Sequence, residues 1–140
     1  MIVGMWRVRA GAAGAALVFL GVAFGIRLLA GDGVLDGSGA LAQNSGTALY
    51  ASMIYAILFA LIPRARPLTA GAAAIAFCWA VELFQLTGVP ALLAADSLVA
   101  RLVLGAHFDP RDMLWYPVGV LPLIAIHQAF RTRDRRRPAR

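Results

Sequence analysis

At 140 residues the chain has room for one domain, and 61% hydrophobic against 14% charged residues excludes an ordinary water-soluble fold, where about a quarter are charged. The net charge is +6, all thirteen basic residues are arginines, and six of them fall in the last ten positions, RTRDRRRPAR. These arginines flank greasy segments and do not interleave with aromatics over a soluble surface, which argues against nucleic acid and for a membrane. The single Cys78 lies in an apolar run, so one chain offers neither a disulfide framework nor a paired-thiol metal site.

The first apolar stretch runs from Ala10 to Ala30 and is interrupted by Arg27. A basic start, MIVGMWRVR, and small residues ALA at 40–42 raise the question of a cleaved signal peptide. The stretch exceeds the usual 7 to 15 residues, and GDGVLDGSG separates it from that site, so a retained spanning helix is predicted. Arg27 can reach the headgroups from one turn inside. Gly21 and Gly25 form G-x-x-x-G, with Gly14 a heptad earlier, and predict contact within a bundle more than a homodimer. GDGVLDGSGALAQNSG, with Asp32 and Asp36, reads as a flexible loop.

Further spans are predicted over 46–62, 68–86 and 113–130, the second and third joined by a tight turn, PRARP, at 63–67. Between the third and fourth, Leu92, Ala95, Leu98, Val99, Leu102 and Val103 recur at helical spacing and predict a short interfacial or re-entrant helix. In AHFDPRDMLWYP, Asp109 is placed to cap the last helix, with Pro110 at its first position and Asp112 near its positive end. Pro117 and Pro122 should bend that helix and free carbonyls. The expected architecture is an all-α membrane protein, a four-transmembrane-helix bundle over residues 1–130, followed by an Arg-rich cytoplasmic tail, 131–140.

Arginine distribution sets the orientation. With the N-terminus inside, Arg7, Arg9, Arg64, Arg66 and the six tail arginines lie on the cytoplasmic side, against Arg27, Arg101 and Arg111 outside. Both termini are then cytoplasmic.

One carboxylate stands out. Glu82 falls about five residues before the outer end of the third span, about 8 Å below it at 1.5 Å per residue, and Gln85 shares its face one turn on. A charge facing lipid at mid-bilayer costs at least about 2.5 kcal/mol, so Glu82 should face protein and have partners. Thr47, Tyr50, Arg101, His107, Asp112 and Tyr116 all belong to the same outer half. Two readings stay open: a binding site, or a pairing of Glu82 with Arg101 or a tyrosine hydroxyl that ties helices together. His107, Asp109 and Asp112 form H-x-D-x-x-D, which is not a zinc spacing and reads as a cap beside a solvated histidine. No metal or cofactor is implied.

GTALYASMIYAILFALIPRARP, FCWAVELFQL and ARLVLGAHFDPRDMLWYPVG together resemble a small bacterial inner-membrane family known as domain of unknown function 2809. More distantly they are similar to the VanZ-like membrane proteins, named for a glycopeptide-antibiotic resistance factor, whose pattern is E-x-x-Q, then Arg, then D-x-x-x-N/Y-x-x-G. The matching residues are Gly46 and Tyr50, Glu82 and Gln85, Arg101, Leu104, Gly105 and Phe108, then Asp112, Tyr116 and Gly119. Thr47 departs from the pattern, which has Asp there, and this puts any catalysis by that acid in question. The resemblance implies a fold and a site and brings no established activity.

The expected function is a small integral inner-membrane protein with an outward-facing polar crevice formed by Glu82, Gln85, Arg101, Asp112, Tyr116 and Tyr50. Its ligand would be the headgroup of an envelope lipid or a polyprenyl-linked glycoconjugate, Arg101 meeting phosphate and Glu82 hydroxyls or amides. The alternative is an accessory subunit packed through its first helix against a larger membrane enzyme or transporter. A third reading, an outer-leaflet enzyme with Glu82 or Asp112 as general base, needs a tuned acidity that sequence does not display. Expected partners are membrane lipids and a membrane protein; the oligomeric state is left open.

Overall fold

A computed structural model of the chain describes residues 2–31, 39–105 and 107–136. Six helices follow in order: α1 Ile2–Gly31, α2 Ala40–Leu61, α3 Pro67–Gln85, α4 Val89–Asp96, α5 Leu98–Leu104 and α6 Asp112–Arg136. No strand occurs among the described residues. Helices α1, α2, α3 and α6 are each long and apolar enough to cross a membrane. Even α3, the shortest at 19 residues, covers about 29 Å at 1.5 Å per residue, close to the ~30 Å of a hydrocarbon core. The fold is an all-α, four-helix transmembrane bundle, and the chain is a multi-pass membrane protein.

The turn between α2 and α3 is set locally. Ile62 N–H closes on Leu58 O, Ala65 N–H on Ile62 O, and extended Arg66 leads into Pro67 at the first helical position, where a missing N–H costs nothing. Packing of α2, α3 and α6 then buries Ala51, Tyr55 and Phe59 against Ala70, Ala74 and Cys78 and against Tyr116, Val120 and Ile124. Small residues set how close the backbones come. A Cβ on Gly119 would overlap the Ala48 carbonyl, so α6 crosses α2 in backbone contact there. The Ser52 hydroxyl closes the same crossing, 2.9 Å from Gly119 O and 3.0 Å from Ala48 O.

Among the described residues α1 packs on α2 alone, and Ala16 is its one buried hydrophobic. Its glycines do not make the contacts predicted for them: nothing described lies within 4 Å of a Cβ built on Gly14, Gly21 or Gly25. The face turned to the bundle carries Ala12 and Ala16, four residues apart, which leaves the glycine stripe elsewhere on the helix.

Two other expectations change. Helix α2 begins at Ala40, inside the stretch read as a loop, because ALAQ is a run of good helix formers whose first turn closes when Gln43 N–H bonds Gly39 O. Asp32 and Asp36 lie outside the described residues, as do positions 137–140 of the tail. The single short helix predicted between the third and fourth spans is two, α4 and α5, broken at Ser97. Ser97 takes an extended conformation and its hydroxyl accepts from Ala100 N–H, an N-cap inside what periodicity alone counts as one helix. Helix α6 runs through both Pro117 and Pro122. Pro117 has no N–H for Met113 O, four residues earlier, and Trp79 Nε1 of α3 donates to that carbonyl at 3.0 Å.

Candidate functional site

The polar residues gather where α3 ends and where α2 and α6 begin. Glu82, one turn before the end of α3, is 1% exposed. Both its oxygens are engaged: Asp109 N–H donates to Oε1 and Tyr116 Oη to Oε2, each at 2.7 Å. Tyr116 is itself 5% exposed. The carboxylate is thus held by charge-assisted hydrogen bonds from a loop amide and from α6, without a counter-ion in this pair of contacts. Burying a carboxylate is unfavourable unless its lone pairs are met, and these two donors meet them.

Through Asp109 the knot extends to the surface. Asp109 Oδ1 accepts from Arg111 N–H at 2.9 Å, its carbonyl from Asp112 N–H at 3.0 Å, and its Oδ2 from Gln43 Nε2 of α2 at 3.0 Å. α6 begins at Asp112, so Pro110 is not at its first position and Asp109 is not its N-cap as predicted; the Asp109 side chain instead closes a turn on Arg111 N–H just ahead of the helix. Asp112, in the first turn of α6, accepts from Thr47 Oγ1 at 2.9 Å. Thr47, the departure from the VanZ-like pattern, is a donor to that acid.

The other sequence-named residues fasten the connecting helices. Helix ends leave carbonyls without intrahelical partners. Tyr50 Oη donates to Val103 O at 2.8 Å and Gln85 Nε2 to Leu104 O at 2.7 Å, so residues from α2 and α3 close the end of α5. The peptide turns away at Gly105, at φ 66, a conformation costly for other residues, and a Cβ there would come within 2.6 Å of Gln85 Nε2. Gln85 Oε1 is buried and has no partner among the described residues. Arg101 closes α4 in the same way, Nε and Nη2 lying 3.1 and 2.9 Å from Ala94 O, where a cation also suits the helix dipole.

The structure therefore joins Glu82 to Tyr116 directly, sets Asp112 one hydrogen-bonded turn away, and commits Tyr50, Gln85 and Arg101 to helix ends. Arg101 is directed to Ala94 and not to Glu82. Glu82 is not presented to an open crevice either; a general base must come within hydrogen-bond reach of its substrate, and this one is enclosed with both oxygens occupied. The opening lies on the other side of Asp109. A cleft of about 280 Å³ there is bordered by Gln43, Asn44, Asp109, Arg111, Leu114 and Trp115. Sequence reasoning gave no site role to Gln43, Asn44, Arg111 or Trp115. The signal that could have found Arg111 was the D-P-R turn itself, since an Asp that bonds the amide two residues on fixes that residue beside it.

No curated protein and no solved structure matches the chain. A family model matches residues 37–120, a range that runs from just before α2 into α6 and contains Glu82, Asp109 and the cleft. On that match, across more than half of its length, the chain belongs to the family described as Protein of unknown function (DUF2809).

Proposed function

We propose that this is an inner-membrane protein of a bacterium, both termini cytoplasmic, that binds the polar headgroup of an envelope lipid or polyprenyl-linked glycoconjugate at its outer end. The observation that carries the reading is the cleft beside Asp109, which combines a guanidinium, a carboxylate, two amides and an indole. Arg111 suits a phosphate, Asn44 and Gln43 suit sugar hydroxyls, and Trp115 offers a face for a sugar ring or an interfacial anchor. Glu82, Tyr116 and Asp112 serve as positioning groups that hold the Asp109 turn, and Gln85, Tyr50 and Arg101 fix the helices behind it. The likeness to VanZ-like proteins favours an envelope ligand. The test is mass spectrometry of lipids retained by protein purified in mild detergent. Arg111→Gln and Asn44→Leu should each strip a headgroup-specific species that the wild type keeps; identical lipid profiles in all three would reject the reading.

A second reading, an accessory subunit, is favoured by α1. Leu17, Val18, Phe24 and Leu28 are exposed there beside the open Gly14, Gly21 and Gly25, a surface on which another helix could pack closely. Gentle extraction should then recover a stoichiometric membrane partner, lost in a Gly21→Leu, Gly25→Leu double variant.

A further inference from the structure

A second cavity, about 340 Å³, lies at the opposite end of the bundle, where α1 begins and α2 and α6 end. α1 rests on α2 but not on α6, and the gap between these two outer helices is the cavity. Its walls are largely apolar, with Phe19, Phe59 and Phe130 from the three helices. Tyr55 and His127 are among the polar groups on its wall, and they satisfy each other, Oη and Nδ1 lying 3.2 Å apart. Arg7 brings a full charge to the lining, which includes no acidic residue among those described. Arg131 follows His127 by four residues and shares its face of α6. Arg9, Arg64, Arg66 and Arg133 belong to the same end.

We propose that this cavity holds one acyl chain of an anionic phospholipid, its phosphate drawn to Arg7 and Arg131. Apart from Arg7, Tyr55 and His127 the lining is apolar, so inside a bilayer a hydrocarbon chain covers it. Size alone would admit any lipid; Arg7 on the lining and Arg131 one turn beyond His127, with no acid among the described lining residues, select the anionic one. The site is distinct from the cleft beside Asp109 and shares no residue with it.

Native mass spectrometry of the full, delipidated chain tests this, with phosphatidylglycerol and phosphatidylcholine of identical acyl chains offered in turn. The wild type should retain phosphatidylglycerol preferentially. Arg7→Gln and Arg131→Gln should each cut that preference by about fivefold, the factor expected of one basic residue at an anionic surface. Ala15→Phe, which fills the cavity while leaving both arginines, should remove the adduct of either lipid. Equal retention of the two lipids by the wild type overturns the proposal, as does a preference untouched by the exposed Arg7 change, which does not depend on how the filled variant folds. A dimer in place of lipid adducts, abolished by Ala15→Phe, would assign the surface to a second copy and also overturn it.

Discussion

Helices α1 and α3 are both apolar enough to cross a membrane, yet only one of them is embedded in the fold. α3 buries Pro67, Ala70, Gly71, Ala74, Cys78 and Glu82, a continuous stripe at helical spacing. α1 buries Ala16 and is otherwise open to its surroundings across most of its described length. Hydropathy does not separate these cases, because lipid and protein interior are equally apolar. What distinguishes the protein-facing stripe of α3 is small size with polar groups at its end, the pattern expected where helices meet by close approach and hydrogen bonding. α1 is equally rich in small residues, but nothing polar from α2 or α6 reaches across to it in a described hydrogen bond. Small residues permit contact; the buried carboxylate and its donors demand it.

Breaking the demanding side should therefore cost most. Glu82→Leu leaves Asp109 N–H and Tyr116 Oη buried without an acceptor, at about 1–3 kcal/mol each, and should sharply lower the unfolding midpoint in detergent. Glu82→Gln keeps an acceptor for Asp109 and can donate to Tyr116, so its loss should be about 1 kcal/mol; equal damage by both changes would mean that charge, not satisfied hydrogen bonding, holds the turn. Trp79→Phe removes the donor to Met113 O while keeping an aromatic ring, an expected cost of about 1 kcal/mol in the same unfolding titration. Smallest of all, Gly21→Leu in α1 meets open space and should shift stability of the isolated chain by less than about 0.5 kcal/mol. A large loss there would show that α1 is packed by a partner or a second copy.

The spanning helices were legible because twenty apolar residues have few other uses, and D-P-R-D announced a turn before the last helix, although the helix starts at Asp112 and not at Pro110. Glu82 and Tyr116 were legible as neighbours through the expense of an unpaired carboxylate. What the pattern did not disclose was direction. Arg101 seemed a ligand cation, but a carbonyl at the end of α4 lay seven residues away and needed a donor, a local claim that periodicity does not display. Ser97 was hidden by the apolar repeat around it. Arg111 and Trp115 were read only as a topology count and a helix start, since a cleft between two helix beginnings depends on how α2 and α6 meet, and that is settled by Gly119 and Ala48.

The bond from Trp79 to Met113 has a mechanical consequence. A proline leaves an acceptor that its own helix cannot use, and here a neighbouring indole supplies the hydrogen, so the register of α3 against α6 is fixed to a single residue. Sliding one helix by a turn, about 5.4 Å, would break this bond and leave the Met113 carbonyl without the indole that serves it. The bond therefore opposes a one-turn slip of α3 along α6.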